Sequence, residues 1–298
     1  MESCHRLVTK SCAPGTREYY GRMLNLLDAD TDTLERLLVR AIKEKDYEMM
    51  QRIFFTESKN ELCWFLDSGY DHCFLFQRAV CLTACCDYED IFRMLPEELP
   101  LAANGHPMLV NGTALLQCIL YRGRYDEEKV VEKAEKYISS KQPKWDRAFA
   151  ACILAIMKND GAMLSGSLQT LCENYARTDI SKYEKLQCQP AYGVIMIAKH
   201  NMTDEEFGKI TMPEYKNFDA GYTRWAPEGG FSKEPVYRFE KPFEVFNRIY
   251  EMPVAVTKVH RPYFECDGRQ VSSVQRKAYF MDIDSMNGQI LDEITGKT

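Results

Sequence analysis

Thiols, imidazoles and carboxylates are the groups able to do chemistry here, and their spacing decides which chemistry. The stretch CFLFQRAVCLTACC gathers Cys73, Cys81, Cys85 and Cys86, with His72 beside the first. A structural zinc site wants such ligands as C-x-x-C with a second pair or a histidine cluster. Cys81 and Cys85 do share a helical face, but the residues between them are apolar. The segment reads as a core helix whose cysteines act as small hydrophobes. The twelve cysteines are scattered, several inside apolar runs, which suits reduced thiols in a reducing compartment better than a disulfide framework.

None of the five histidines, His5, His72, His106, His200 and His260, stands in a pattern with a mechanism such as H-E-x-x-H. A Cys–His pair can still form through the fold, since catalytic partners need not be neighbours in the chain. GAMLSGS lacks the lysine of a phosphate loop and a strand before it. DEEKVVEKAEKY pairs carboxylates with lysines four apart, the signature of a solvated helix face. HRPYFECDGRQVSSVQRKAY mixes basic and aromatic residues in a way that suits RNA. It also carries Glu265 and Asp267, in a chain of net charge −6, so it reads as a hairpin. No metal or cofactor is expected.

One stretch leans towards partner binding. Tyr222, Trp225 and Phe231 stand with Asp219, Arg224 and Glu228 in a Pro- and Gly-broken, loop-like context. Tyr, Trp and Arg are the types enriched at interface hot spots. The competing reading is that these rings staple an irregular segment to the helices.

The elements that must position these groups announce themselves by a repeated phrase. AIKEKDYEMM at 41–50 is echoed by AIMKNDGAML at 155–164. Leu34, Leu37, Leu38, Ala41 and Ile42 precede the first copy at helical spacing, and Met49, Met50, Ile53 and Phe54 follow it. The second copy stands between Trp145–Ile156 and Leu164–Tyr175 in the same way. Each predicts an antiparallel helix pair, with Asp46 or Asp160 capping the second helix. Asp87 and Asp126 sit in looser echoes, giving separations of 41, 39 and 34 residues, the range of helical-hairpin arrays. MTDEEFGKI offers Thr203 and Glu206 in capping-box spacing.

From residue 212 the composition shifts: residues 212–298 hold 14 of the 35 aromatics and 6 of the 12 prolines. Such a segment is too broken for a long helix and too aromatic for a free linker. It is expected to pack on the helices, with one helix at 242–251. VAVTKV and KAYFMDI, joined through CDGR, are expected to form a β-hairpin. The expected fold is mainly α: a helical domain of irregularly stacked antiparallel pairs over 1–211, and a C-terminal segment, 212–298, packed on it.

The run WDRAFAACILAIMKNDGAMLSGSLQTLCENYAR, followed by PAYGVIMIAKHNMTDEEFGKI and a Pro-broken C-terminal part, resembles the immunity 49 family of bacterial polymorphic toxin systems. The resemblance implies a mostly helical cytosolic protein that binds and neutralises a cognate toxin, often a nuclease, without catalysis of its own.

The charge argues against nucleic-acid and anionic membrane partners and favours a basic protein. No apolar run is long enough to span a membrane, and the N-terminus lacks an export signal, so a cytoplasmic protein is expected. The leading expectation is an immunity-type binding protein that occludes a basic toxin. The alternatives are a helical-repeat adaptor for a peptide or protein, and a hydrolase or transferase whose Cys/His site forms only in the fold.

Overall fold

A computed structural model describes residues 2–24, 26, 31–62, 71–229, 231–260 and 279–296; the side chains of residues 3, 31, 228 and 229 lie outside that description. The chain is mainly helical. Helices α1 (Glu2–Val8) and α2 (Arg17–Leu24) lead into α3 (Thr31–Glu44) and α4 (Tyr47–Glu61). Short α5 (Phe76–Thr83) and α6 (Asp90–Met94) follow, then α7 (Pro107–Leu120), α8 (Glu127–Ile138), α9 (Lys144–Lys158) and α10 (Gly161–Tyr175). After α11 (Gln189–Asn201) and α12 (Asp204–Gly208) come α13 (Ala220–Gly229), α14 (Arg248–Glu251) and α15 (Ile283–Thr295).

The echoed phrase is one turn built twice. Lys45 and Asn159 both take φ of 54°, the left-handed conformation that stops a helix. The next N–H reaches back five residues, Asp46 to the Ala41 carbonyl at 2.9 Å and Asp160 to the Ala155 carbonyl at 3.0 Å. The same aspartates then cap the following helix, accepting from the Met49 and Met163 amides at 3.0 and 2.8 Å. Helix stop and helix start share consecutive residues, so α4 folds back on α3 and α10 on α9.

The looser echoes diverge. Asp126 caps α8 through the Lys129 amide at 3.1 Å, but five residues, 121–125, separate Asp126 from α7. Asp87 caps nothing; its carboxylate pairs with Lys233. The capping box at Thr203 is half-formed: Thr203 Oγ1 accepts from the Glu206 amide at 3.3 Å. Glu206 instead takes the Gly161 amide at 3.1 Å, and Asn159 takes the Thr203 amide at 2.9 Å. The caps of α10 and α12 are thereby traded across the fold.

One hydrophobic core runs through the chain, from Leu38, Phe54, Phe76, Phe149 and Tyr192 to Tyr222, Phe246, Tyr250 and Met286. The loop-like reading of 219–231 is corrected: residues 220–229 form a helix, because the Asp219 carboxylate accepts the Gly221 amide at 2.7 Å and Tyr222 and Ala226, four apart, share a buried face. The helix expected at 242–251 splits into a 3₁₀ turn, Glu244–Asn247, and α14. Asn247 is tied there to the Phe239 amide and carbonyl at 2.7 and 2.8 Å. Strands β1 (Val259–His260) and β2 (Phe280–Met281) pair antiparallel, Val259 opposite Met281. The CDGR turn and the basic-aromatic residues of 261–278 lie outside the described residues.

Candidate functional site

The aromatic stretch 219–231 turns its rings inward. Tyr222 is only 1% exposed, and its hydroxyl donates to the Ala84 carbonyl at 2.6 Å. It is a core residue and not a surface anchor. Trp225 is half-buried, its ring 5.9 Å from Tyr222 and 6.4 Å from Tyr47. Asp219 accepts from the Tyr47 hydroxyl at 3.3 Å and donates its own amide to Tyr192. Burial first, then the Asp219 charge, pushes the Tyr47 phenol up. Phe231 is half-buried against the core, and Arg224 alone of the described group is exposed. The side chain of Glu228 lies outside the described residues. The stapling role predominates here.

Asp71, His72 and Cys73 come nearest to a catalytic constellation. His72 is fully buried, with Nδ1 2.5 Å from Asp71 Oδ1. Burial works to raise the Asp71 carboxyl, but His72 and the Ala103 and Asn104 amides prevail and hold it low. The Cys73 thiol donates to the Asn104 carbonyl, and burial pushes it up to about 12. A thiol held protonated is no nucleophile. Among the described residues no cysteine hydrogen-bonds a histidine, and no three His, Cys, Asp or Glu side chains are grouped as metal ligands.

Two arrangements emerge that sequence reasoning missed. The first is a pit between α4, α5 and the connection from α10 to α11. Glu57, Ser58 and Glu61 of α4, Cys81 of α5, and Tyr183, Glu184 and Gln189 line a cavity of about 30 Å³, room for a water but not for a substrate. Tyr183 donates to Glu57 Oε2 at 3.1 Å, and Gln189 donates to Ser58 Oγ at 2.9 Å. Burial first, then the neighbouring Glu61 and Glu184 charges, pushes the Glu57 acid up to about 8. Nothing in the spacing of Glu57 and Glu61, four apart in TESKNE, marks them in the sequence.

The second is an exposed aromatic patch. Phe92 of α6, 37% exposed, meets Tyr88 edge-on at 5.8 Å and Tyr121 at 5.9 Å. His200, at the end of α11, stacks on Tyr88 at 4.2 Å with the rings 6° from parallel. Partial burial, then Lys199, holds the His200 imidazole below its usual value. Asn201 fixes the Tyr88 hydroxyl at 2.7 Å, and Tyr121 donates to the Leu95 carbonyl at 2.8 Å, so both rings are anchored. Residues 87–98, DYEDIFRMLPEE, flank the patch with five carboxylates against one arginine. That Arg93 is turned to the Val254 carbonyl at 2.7 Å; Asp87 pairs with Lys233 and Glu97 with Arg124, and Asp87, Glu89, Glu97 and Glu98 are exposed. The acidic run was readable, but only the fold brings Tyr121 and His200 to it.

No helix of the described residues is long and apolar enough to cross a membrane. Comparison with protein-family models, with characterised proteins and with solved structures finds no match.

Proposed function

We propose that the chain is an immunity-type binding protein, working in the cytoplasm without catalysis of its own, that neutralises a basic protein toxin by covering it. The observation that carries this reading is the Tyr88–Phe92–Tyr121–His200 patch beside exposed carboxylates. Anchored aromatic rings lose little freedom on docking and supply hot-spot area, while an acidic flank speeds encounter with a basic surface. The acidic net charge points the same way. On this reading the contact is made by Tyr88, Phe92, Tyr121 and His200 and not by the aromatic residues of 219–231.

The test is a pull-down of the tagged chain from its source cell, together with products of the neighbouring genes, using wild type and Phe92→Glu. The expected result is a stoichiometric basic partner, toxic when expressed alone, rescued by wild type and lost with Phe92→Glu. Equal retention by a folded Phe92→Glu variant, or a lack of any toxic partner, refutes the proposal.

A further inference from the structure

Asn-Gly occurs three times in the chain, at 104–105, 111–112 and 287–288. The pair is labile: with no Cβ on the following residue, the glycine amide nitrogen can reach the asparagine side-chain carbonyl carbon. Two of the three pairs are protected. Asn111–Gly112 lies inside α7 and Asn287–Gly288 inside α15, where the glycine N–H is held in the helical ladder and the backbone cannot turn to bring the two atoms together. Asn111 is further tied by its side-chain amide to the Pro107 carbonyl at 2.8 Å.

Asn104–Gly105 differs on each count. It sits in the connection 95–106 between α6 and α7, with Asn104 half-buried and Gly105 exposed. The connection is anchored as far as Asn104: Gln117 holds the Pro100 carbonyl and the Ala102 amide at 2.9 and 3.2 Å. Asp71 accepts the Ala103 and Asn104 amides at 3.1 and 3.2 Å, and the Cys73 thiol donates to the Asn104 carbonyl at 3.1 Å. Among the described residues, the Gly105 amide and the Asn104 side chain make no hydrogen bond. The fold also requires this glycine: its φ is 144°, and a Cβ there would lie 2.5 Å from Cys73 Sγ.

We propose that Asn104 is a modification site, deamidating spontaneously in the folded chain while the other two pairs persist. The Gly105 nitrogen gives its proton to hydroxide and bonds to Asn104 Cγ; the Cγ–Nδ2 bond breaks and ammonia leaves, closing a cyclic imide. Water then opens either carbonyl of the imide, leaving an aspartate or an isoaspartate at position 104. In the isoaspartate the main chain runs through Cγ, one carbon longer, and the former Asn104 carbonyl becomes a free carboxylate. That carbonyl is the one Cys73 holds, beside the buried Asp71. A second negative charge there, on a lengthened backbone, works against the bonds to Asp71, so the connection loosens as the chain ages.

Ageing the full folded chain in warm, mildly alkaline buffer tests this, with peptide mapping in which fragment ions place the change. Asn104 is expected to convert from amide to acid and to accept labelled methyl groups from an isoaspartyl carboxyl methyltransferase, while Asn111 and Asn287 stay intact. In urea all three are expected to convert, because the helices that protect two of them are gone; sparing of Asn111 and Asn287 there as well overturns that account. An intact Asn104 in the folded chain, or conversion of all three at equal rates there, overturns the proposal. Hydrogen–deuterium exchange on the aged chain reads the consequence. Peptides from 99–106 are expected to lose protection in wild type and to keep it in aged Asn104→Gln, whose side chain closes the larger ring far more slowly. Unchanged protection in converted wild type overturns the loosening. If Asn104→Gln does not fold, fresh wild type is the reference and α9 peptides are the control.

Discussion

Two helices, α5 and α11, approach closely at Gly193, and a single methyl group there tests how the core is packed. A Cβ at Gly193 of α11 would lie 1.8 Å from the Val80 carbonyl oxygen of α5 and 2.9 Å from Val80 Cγ1. That oxygen belongs to helical backbone and accepts the Thr83 hydroxyl at 2.7 Å, so it cannot rotate aside. Restoring ordinary contact requires α11 to move out by roughly 1.5 Å, and every α11 residue from Gln189 to Ala198 is buried. In a free helix, Gly→Ala stabilises by about 0.5–1 kcal/mol. Here overpacking at about 1–3 kcal/mol, plus the gap opened along the rest of the α5–α11 contact, outweighs that gain. Gly193→Ala is expected to lose about 3 kcal/mol, read as a lower midpoint in urea unfolding followed by circular dichroism. Gly166, exposed in the middle of α10 with nothing within 4 Å of its would-be Cβ, supplies the matched control. Gly166→Ala should gain about 0.5–1 kcal/mol from the same chemical change. A Gly193→Ala protein as stable as wild type would show that α5 and α11 do not meet in this way.

Other expectations follow from the turns, the pit and the buried tyrosine. Asp46→Ala and Asp160→Ala each remove a cap and should cost about 1 kcal/mol in the same urea assay; no loss at either would mean that turn is not capped. Lys45→Gly should stabilise by about 1 kcal/mol, relieving a left-handed lysine, whereas Asn159→Gly should not, because Asn159 also holds the Thr203 amide. Glu57 is a carboxyl whose folded pKa is raised, so its contribution favours the folded state at low pH and is lost as pH rises from 4.5 towards about 8. Glu57→Gln removes that titration, so it should raise the urea midpoint near pH 7 and flatten its pH dependence. An unchanged pH profile in Glu57→Gln would place the ionised carboxylate in contact with water. Tyr222→Phe should cost about 1 kcal/mol through the orphaned Ala84 carbonyl and leave partner capture intact; loss of capture with stability unchanged would return Tyr222 to the contact surface.

How far the sequence could be read depended on the distance between cause and effect along the chain. The echoed phrase was legible because both halves of its turn are local. A left-handed residue, an amide reaching back five positions and an aspartate accepting three positions ahead lie within ten consecutive residues. Asp87 looked equivalent by the same pattern, yet its carboxylate faces Lys233, far along the chain, and no cap forms. In 219–231 the apolar spacing of Tyr222 and Ala226 was present, but Gly221 and Pro227 hid it until Asp219 was seen to start the helix.

The pit lies at the other extreme. Nothing in TESKNE distinguishes Glu57 from a solvated glutamate; what changes its chemistry is Tyr183, 126 residues later, closing over it. The aromatic patch is intermediate, with Tyr88 and Phe92 written in one acidic run and His200 supplied by a helix more than a hundred residues on. Local grammar sets where helices stop and start, and it is satisfied at modest energy by the chain's own neighbours. The groups with unusual chemistry arise where packing overrules that grammar.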